Sequence, residues 1–147
     1  MGGIKITTPT TGMKGVAFLT IREDWNEYKL PSSGTIIKFK NSITEIKENT
    51  LKAGQFSVNA TVITVKETSP ADEIKPSDQK EPAEEILEKV SFEKIREPLN
   101  IYDVPDKTII LAKAIMQDIQ KSNKFDTEGK RIYKYQASCA INFVKYP

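Results

Sequence analysis

The sequence contains no histidine and only one cysteine, Cys139, in 147 residues. Without histidine, the chain lacks the usual general base, the usual activator of a nucleophilic serine or cysteine, and the commonest metal ligand. A single cysteine excludes a disulfide within the chain and a cysteine-rich zinc site. No Gly-x-Gly-x-x-Gly or Walker-type phosphate loop occurs. We therefore expect a protein that is not an enzyme and that has no catalytic residues, metal ligands or cofactor.

Long apolar segments are also missing. No apolar run approaches the roughly 18 residues that span a bilayer, which predicts no membrane partner. The first residues lack the charged-then-apolar profile of a signal peptide, so we do not expect secretion through one. Apolar residues make up 38% of the chain and charged residues 29%, which is typical of globular proteins.

The net charge of +2 hides an uneven distribution. Residues 1–66 carry a net charge of +4, residues 67–97 carry −5, and residues 98–147 carry +3. The acidic stretch contains Pro70, Pro76 and Pro82 and few large apolar residues. This composition predicts a solvated connector between two mildly basic blocks.

The two blocks are an internal repeat. Residues 16–31 match residues 90–105 at eight of sixteen positions. The identical pairs are Val16/Val90, Phe18/Phe92, Ile21/Ile95, Arg22/Arg96, Glu23/Glu97, Asn26/Asn100, Tyr28/Tyr102 and Pro31/Pro105. Loss of one residue in the next turn changes the offset from 74 to 73, and Thr35–Ile37 then matches Thr108–Ile110. The repeat predicts four parts, which are an N-terminal arm (1–15), β unit 1 (16–66), an acidic connector (67–89) and β unit 2 (90–147).

Apolar and polar residues alternate in both units, which predicts a mainly β fold. Unit 1 has strand patterns at 16–21, 35–47 and 56–66, and the last two form a hairpin that unit 2 repeats. Three strands bury little surface, so the units are expected to share one pseudo-symmetric core, as a β-sandwich or barrel-like fold, or to pack on neighbouring subunits. Residues 109–121 fit a helix or a strand, and their repeat partner favours a strand. A capping-box pattern at residues 78–81 predicts a short helix over 82–89.

Two core residues are predicted from the last hairpin of each unit. Cys139 and Val62 occupy matching positions in the alternating patterns, and both are expected to be buried. The carboxylate pairs Glu23/Asp24 and Glu84/Glu85 lie in polar sequence without the pattern of a calcium loop. We interpret them as solvated charge.

Residues that occur in both copies are interpreted as parts of the shared fold. Arg22, Glu23 and Pro31, with their counterparts Arg96, Glu97 and Pro105, are expected to form an ion pair and a turn packed against a tyrosine. Trp25 differs, because the second copy has Leu99 at this position, and tryptophan is enriched at interaction hot spots. The candidate interaction residues are Trp25, Tyr28, Tyr102, Lys38, Lys40 and Lys113.

Two functions remain open at this point. The run Gly34–Ser42 resembles a late strand of OB-type binders of single-stranded nucleic acid, with aromatic side chains to stack bases and lysines to contact phosphates. The short distance from the first strand to Thr35 leaves no room for the usual OB hairpin. The acidic connector and the balanced total charge also weigh against this alternative.

The tandem β units, the Lys- and Ile-rich composition and turn signals such as Tyr102–Asp106 resemble small structural proteins of tailed bacteriophages. These are capsid-decoration, neck or tail components. The resemblance implies a non-enzymatic assembly protein in a virion or the host cytoplasm. Its partners would be protein subunits of a larger assembly, including copies of itself. The first eleven residues and the acidic connector are expected to make intersubunit contacts.

Overall fold

The computed structural model describes residues 12–70 and 82–147, and every helix or strand that it assigns there is a β-strand. The strands are β1 (Met13–Val16), β2 (Leu19–Arg22), β3 (Asn26–Leu30), β4 (Thr35–Asn49), β5 (Phe56–Thr68), β6 (Leu87–Lys89), β7 (Glu93–Arg96), β8 (Asn100–Val104), β9 (Thr108–Phe125) and β10 (Arg131–Lys145). The predicted mainly β fold class is confirmed. The expected intersubunit contacts of residues 1–11 and 71–81 lie outside the described residues.

The strands form two antiparallel sheets of five strands each, packed as a β-sandwich rather than a closed barrel. In the first sheet the order is β5-β4-β3-β7, and β1 pairs with β4 beyond the end of β3. In the second sheet the order is β10-β9-β8-β2, and β6 pairs with β9 in the same manner. The hairpins β4-β5 and β9-β10 dominate both sheets, as alternation and turn signals predicted.

Each sheet contains one short strand from the other repeat. Strand β2 belongs to the first copy but pairs with β8, whereas β7 belongs to the second copy but pairs with β3. The two ladders are equivalent, because Leu19 pairs with Asp103 and its counterpart Glu93 pairs with Lys29. Both ladders also skip one residue at the same place. The chain therefore has the pairing of a strand-exchanged dimer within a single polypeptide.

The pairing register follows the sequence repeat elsewhere. Val16 pairs with Ile46 in the first sheet, and the amide of Val90 bonds to the carbonyl of Ile119 in the second. The turn between β3 and β4 covers residues 31–34, whereas the turn between β8 and β9 covers residues 105–107. The single-residue deletion thus lies in a turn, where it leaves the ladder intact.

The inner faces of the sheets pack on each other in two equivalent clusters. One joins Tyr28, Leu30, Ile37 and Phe39 of the first sheet to Ala114, Met116, Ile119 and Tyr133 of the second. The other joins Tyr102, Val104, Ile110 and Ala112 of the second sheet to Ile43, Ile46 and Phe56 of the first. The repeats therefore share a core, which is one of the two arrangements expected from their small size. Each cluster needs residues from both repeats.

The predicted short helix over 82–89 is wrong. Residues 87–89 form β6, which pairs with residues 120–122 of β9. This is the place that β1 occupies in the first copy, so ladder hydrogen bonds override the local helix pattern. The capping-box residues 78–81 lie outside the described residues. The choice of a strand over a helix at 109–121 is confirmed by β9.

The predicted burial of Val62 and Cys139 is also wrong. In β5, Ala60 pairs with Glu45 and Val58 with Ile46, so Asn59 is an extra residue in the ladder. This β-bulge reverses the alternation after it, and Val62 points outward with 52% of its surface exposed. Cys139 is exposed because it lies on the edge strand β10, outside both core clusters.

Candidate interaction surfaces

The two repeated tyrosines lie near β2 and β7, the strands that each repeat contributes to the sheet of the other, hereafter the exchanged strands. Tyr28 donates a hydrogen bond to Glu97 over 2.7 Å, and Tyr102 donates one to Glu23 over 2.6 Å. Each bond joins one repeat to the other. Both tyrosines have no exposed surface, so these two interaction candidates are internal residues. Their hydroxyl groups hold the exchanged strands in place.

Side chains beside the two tyrosines also bond to the backbone of the long strands β4 and β9. They do so in the stretch between the two short strands that pair with each long strand. Asn26 donates to the carbonyl of Ala114 over 2.7 Å, and Asn100 donates to the carbonyl of Asn41 over 3.3 Å. The amide of Met116 donates to Glu97 over 3.2 Å. Buried backbone groups need such partners. The repeated asparagines and Glu97 therefore supply hydrogen bonds that a neighbouring strand would otherwise make.

Burial, reinforced by the hydrogen bond to a glutamate, raises the pKa of Tyr28 and of Tyr102 well above the ordinary tyrosine value. Both side chains therefore stay protonated and act as hydrogen-bond donors.

The repeated arginines converge on one carboxylate. Asp24 contacts Arg96 at 2.6 Å and Arg22 at 3.7 Å. A hydrogen bond from the amide of Trp25, together with Arg96, holds the pKa of Asp24 below its usual value. The expected ion pair of Arg22 with Glu23 does not occur, because Glu23 accepts hydrogen bonds from Tyr102 and Ser42 instead. Asp24 has no counterpart in the second repeat, which has Pro98 there.

The prolines of the repeated pattern lie in the turns that precede the long strands. Pro31 is exposed in the turn before β4, and Pro105 is exposed in the turn before β9. Neither is packed in a core cluster. Their fixed backbone angle suits the start of a turn.

The outer face of the first sheet, hereafter the basic face, carries most of the candidate lysines. A row across four strands consists of Arg96, Glu27, Lys38 and Lys66, which are neighbours in the ladders. Trp25 lies beside this row, and the ammonium groups of Lys40 and Lys66 are 4.9 Å and 5.0 Å from its ring centroid. These distances are within cation–π range. The structure thus brings Trp25, Lys38 and Lys40 together, and it adds Lys66.

The outer face of the second sheet, hereafter the apolar face, has a different character at equivalent positions. Its members are Ile101, Asp103, Ile109, Leu111, Lys113, Ile115, Ser138, Ala140, Asn142 and Val144. Ile115 is 37% exposed and Val144 is 45% exposed. Lys113 therefore lies on the opposite side of the sandwich from Lys38 and Lys40. The predicted lysine set is split between two surfaces.

The repeat allows the two faces to be compared position by position. Glu27 of the basic face corresponds to Ile101 of the apolar face, and Lys38 corresponds to Leu111. Because both sheets have the same fold and register, folding does not require apolar side chains at these outer positions. The requirements of the fold therefore do not explain their presence on one sheet.

Sequence reasoning missed the apolar face. The run Ile109–Met116 is apolar at both alternating positions, except for Lys113. Such a run is typical of a strand that is covered on both faces. That signal was visible, but only the register separates the core residues Ile110 and Ala112 from the outward-facing Ile109 and Leu111.

No family model, no curated protein and no solved structure matches this chain. Across residues 12–70 and 82–147, no helix has the length and apolar character needed to cross a membrane. The same ranges contain no group of three or more cysteine, aspartate or glutamate side chains arranged to hold a metal ion.

Proposed function

We propose that this chain is a non-enzymatic assembly protein in which the apolar face packs against the same face of a second copy. The difference between equivalent positions of the two sheets carries this proposal. Ile101, Leu111 and Ile115 occupy the positions of Glu27, Lys38 and Ser42 in the first repeat. A contact that only the second repeat makes would explain these three apolar side chains. The interlocked core supplies a rigid body for such a contact.

The charges on the apolar face favour a second copy as the partner. Asp103 lies in the ladder row of Ile109, and Lys113 lies four residues further along β9, with Leu111 between them. Consider two copies packed face to face, with a two-fold axis that passes over Leu111 at right angles to the strands. The β9 strands of the two copies then run in opposite directions, and the row of Asp103 in one copy lies over the row of Lys113 in the other. The face is therefore complementary to itself in charge as well as in polarity.

The size of the apolar face sets the expected strength of the contact. From Ile109 to Ile115 it extends about 20 Å along β9, and three strands span about 14 Å, which gives roughly 300 Å². A stable interface buries about 800 Å² on each partner. A pair of copies alone should therefore be weak, because the face is well below that size. Repetition of the contact in a larger assembly would add avidity.

The larger assembly that we propose is a virion, in which the chain would serve as a capsid-decoration, neck or tail component. The tandem β units and turn signals that resemble such proteins support this part of the proposal. A weak, self-complementary surface on a rigid sandwich suits a protein that adds to a preformed particle.

The proposal is tested by giving the apolar face the residues of the basic face. The double variant Ile101→Glu and Leu111→Lys copies Glu27 and Lys38 at equivalent positions, so the fold should tolerate it. Sedimentation equilibrium should show concentration-dependent dimers for the original chain and monomers for the variant. In the variant, the two-fold axis would place the new lysines of both copies together.

The matched control is Lys38→Gln on the basic face, which should dimerise like the original chain. Circular dichroism should show the same strand content for all three proteins. An original chain that stays monomeric at millimolar concentration would refute the proposal. Equal association of the double variant would do the same.

A further inference from the structure

We infer that the basic face binds single-stranded nucleic acid, with a base stacked on Trp25 and phosphates on Lys38, Lys40 and Lys66. This site is separate from the apolar face and does not depend on the contact between copies. Its position on the opposite sheet would let one molecule hold a nucleic acid strand and a second copy at the same time.

The charge of the face is the first observation. Its outward cations are Lys29, Lys38, Lys40, Lys66 and Arg96, and its outward carboxylates are Glu27 and Glu93. Arg96 is already paired with Asp24, which leaves the lysines as the available cations. The whole chain has a net charge of only +2. A local excess of this kind is the electrostatic footprint of a polyanion site.

The arrangement of the lysines suits an extended strand. Lys38 and Lys66 are opposite each other on β4 and β5, and Lys40 follows Lys38 by two residues on the same face. Neighbouring positions across the sheet are about 4.8 Å apart, and positions two residues apart are about 6.7 Å apart. The three ammonium groups therefore form a compact patch on the surface of the sheet. A single strand can lie across such a surface without entering a groove.

Trp25 supplies the stacking platform. Its indole is half-buried beside β3, which fixes the ring, and the ammonium groups of Lys40 and Lys66 lie within 5.0 Å of the centroid. Both lysines have flexible stems, so they can leave the ring for a phosphate when a base takes their place. Aromatic side chains with neighbouring lysines on a sheet surface are the usual platform for single strands.

The second repeat argues that this face is not needed for folding. Leu99 stands where the first repeat has Trp25, Leu111 where it has Lys38, and Asn142 where it has Lys66. The same fold thus forms without the tryptophan and without two of the three lysines. Only the first repeat concentrates stacking and positive charge at one place.

The experiment uses the fact that Trp25 is the only tryptophan. Titration with an oligothymidylate of about 12 nucleotides, within the usual site sizes, should quench the Trp25 fluorescence. Fluorescence anisotropy of a labelled oligonucleotide should give a salt dependence with a slope of about −2, as expected for three phosphate contacts. The double variant Lys40→Gln and Lys66→Gln should reduce this slope to about −1.

Two matched variants separate this site from general charge attraction. Trp25→Leu copies the second repeat and should weaken binding about tenfold through lost stacking. Lys113→Gln alters the counterpart of Lys40 on the apolar face and should leave the affinity unchanged. An abasic oligonucleotide of the same length should bind about tenfold more weakly than the oligothymidylate.

Three results would overturn the inference. They are no binding at low salt, equal loss of affinity in Lys113→Gln and the double variant, and equal affinity for the abasic strand together with no effect of Trp25→Leu. The last result would mean that the face attracts any polyanion. None of these outcomes bears on dimerisation through the apolar face, so the two proposals stand or fall separately.

Discussion

Removal of the Tyr28 hydroxyl is expected to destabilise the chain because it breaks a buried bond between the repeats. Tyr28 donates to Glu97 over 2.7 Å, and only 7% of the Glu97 side chain is exposed. In Tyr28→Phe this carboxylate keeps the amide of Met116 at 3.2 Å and the ammonium of Lys94 at 3.8 Å. A hydrogen bond to a charged group contributes about 1.5–3 kcal/mol. We therefore expect a loss of about 2 kcal/mol in the free energy of unfolding.

The counterpart variant Tyr102→Phe provides a matched comparison. Glu23 retains the hydroxyl of Ser42 at 2.9 Å, which is a shorter hydrogen bond than the 3.2 Å bond that remains on Glu97. Tyr102→Phe should therefore cost about 1 kcal/mol, at the lower end for such bonds. The structure predicts an unequal effect of two substitutions that look identical in the sequence repeat.

Urea unfolding followed by circular dichroism measures the loss of unfolding free energy in both variants. In thermal unfolding, a loss of about 2 kcal/mol should lower the melting temperature of a chain of this size by about 4–8 °C. The Glu97→Gln variant and the double variant with Tyr28→Phe complete a thermodynamic cycle, whose coupling should exceed about 1 kcal/mol. Equal small losses in both tyrosine variants, or a coupling near zero, would refute the role assigned to the exchanged strands.

Two further outcomes are expected. Partial burial raises the pKa of the Cys139 thiol, so this exposed cysteine should react with iodoacetamide more slowly than a free thiol at pH 8. Its rate should keep rising above pH 9, as measured by mass spectrometry, and a plateau below that pH would contradict the shift. Gly54→Ala should lower stability by about 1 kcal/mol or more in thermal unfolding, because Gly54 has a φ of +83° and an added methyl group would meet Lys145 and Asp106. Unchanged stability would show that this turn adopts another conformation.

Local alternation was sufficient to predict the long hairpins. Strands β4, β9 and β10 alternate over many residues, and the repeat located their equivalents despite the ambiguity at 109–121. The missing turn residue was also predictable, because loops accept deletions that ladders do not. The small area that each unit can bury predicted either a shared core or packing on neighbouring subunits, and the sequence did not choose between them.

The exchange of β2 and β7 was not predictable from the repeat. Glu23 and Glu97 occur in both copies, so they are correctly interpreted as parts of the fold, but the sequence does not say which copy provides the tyrosine. A pairing within each copy would use the same side chains. The choice depends on how the segments around Arg22 and Arg96 cross between the sheets, which is a tertiary property.

The burial of single side chains failed for a related reason. One extra residue at Asn59 reverses the alternation of β5, and no residue type at that position marks a bulge. Cys139 follows a regular alternating pattern but lies on the edge strand β10. A side chain on an edge strand can face the other sheet and still be exposed to solvent. The division between the basic and apolar faces likewise depends on register rather than on composition.

Selective cross-linking at equivalent positions tests the self-association of the apolar face most directly. Leu111→Cys and Lys38→Cys, each combined with Cys139→Ser, place one thiol at the centre of the apolar or the basic face. A short bismaleimide can join two thiols whose backbones are about 10 Å apart, the spacing of packed sheets. Cross-linked dimers should form with Leu111→Cys and remain at background with Lys38→Cys. Equal yields from both variants, or more dimer from Lys38→Cys, would contradict the assembly that we propose.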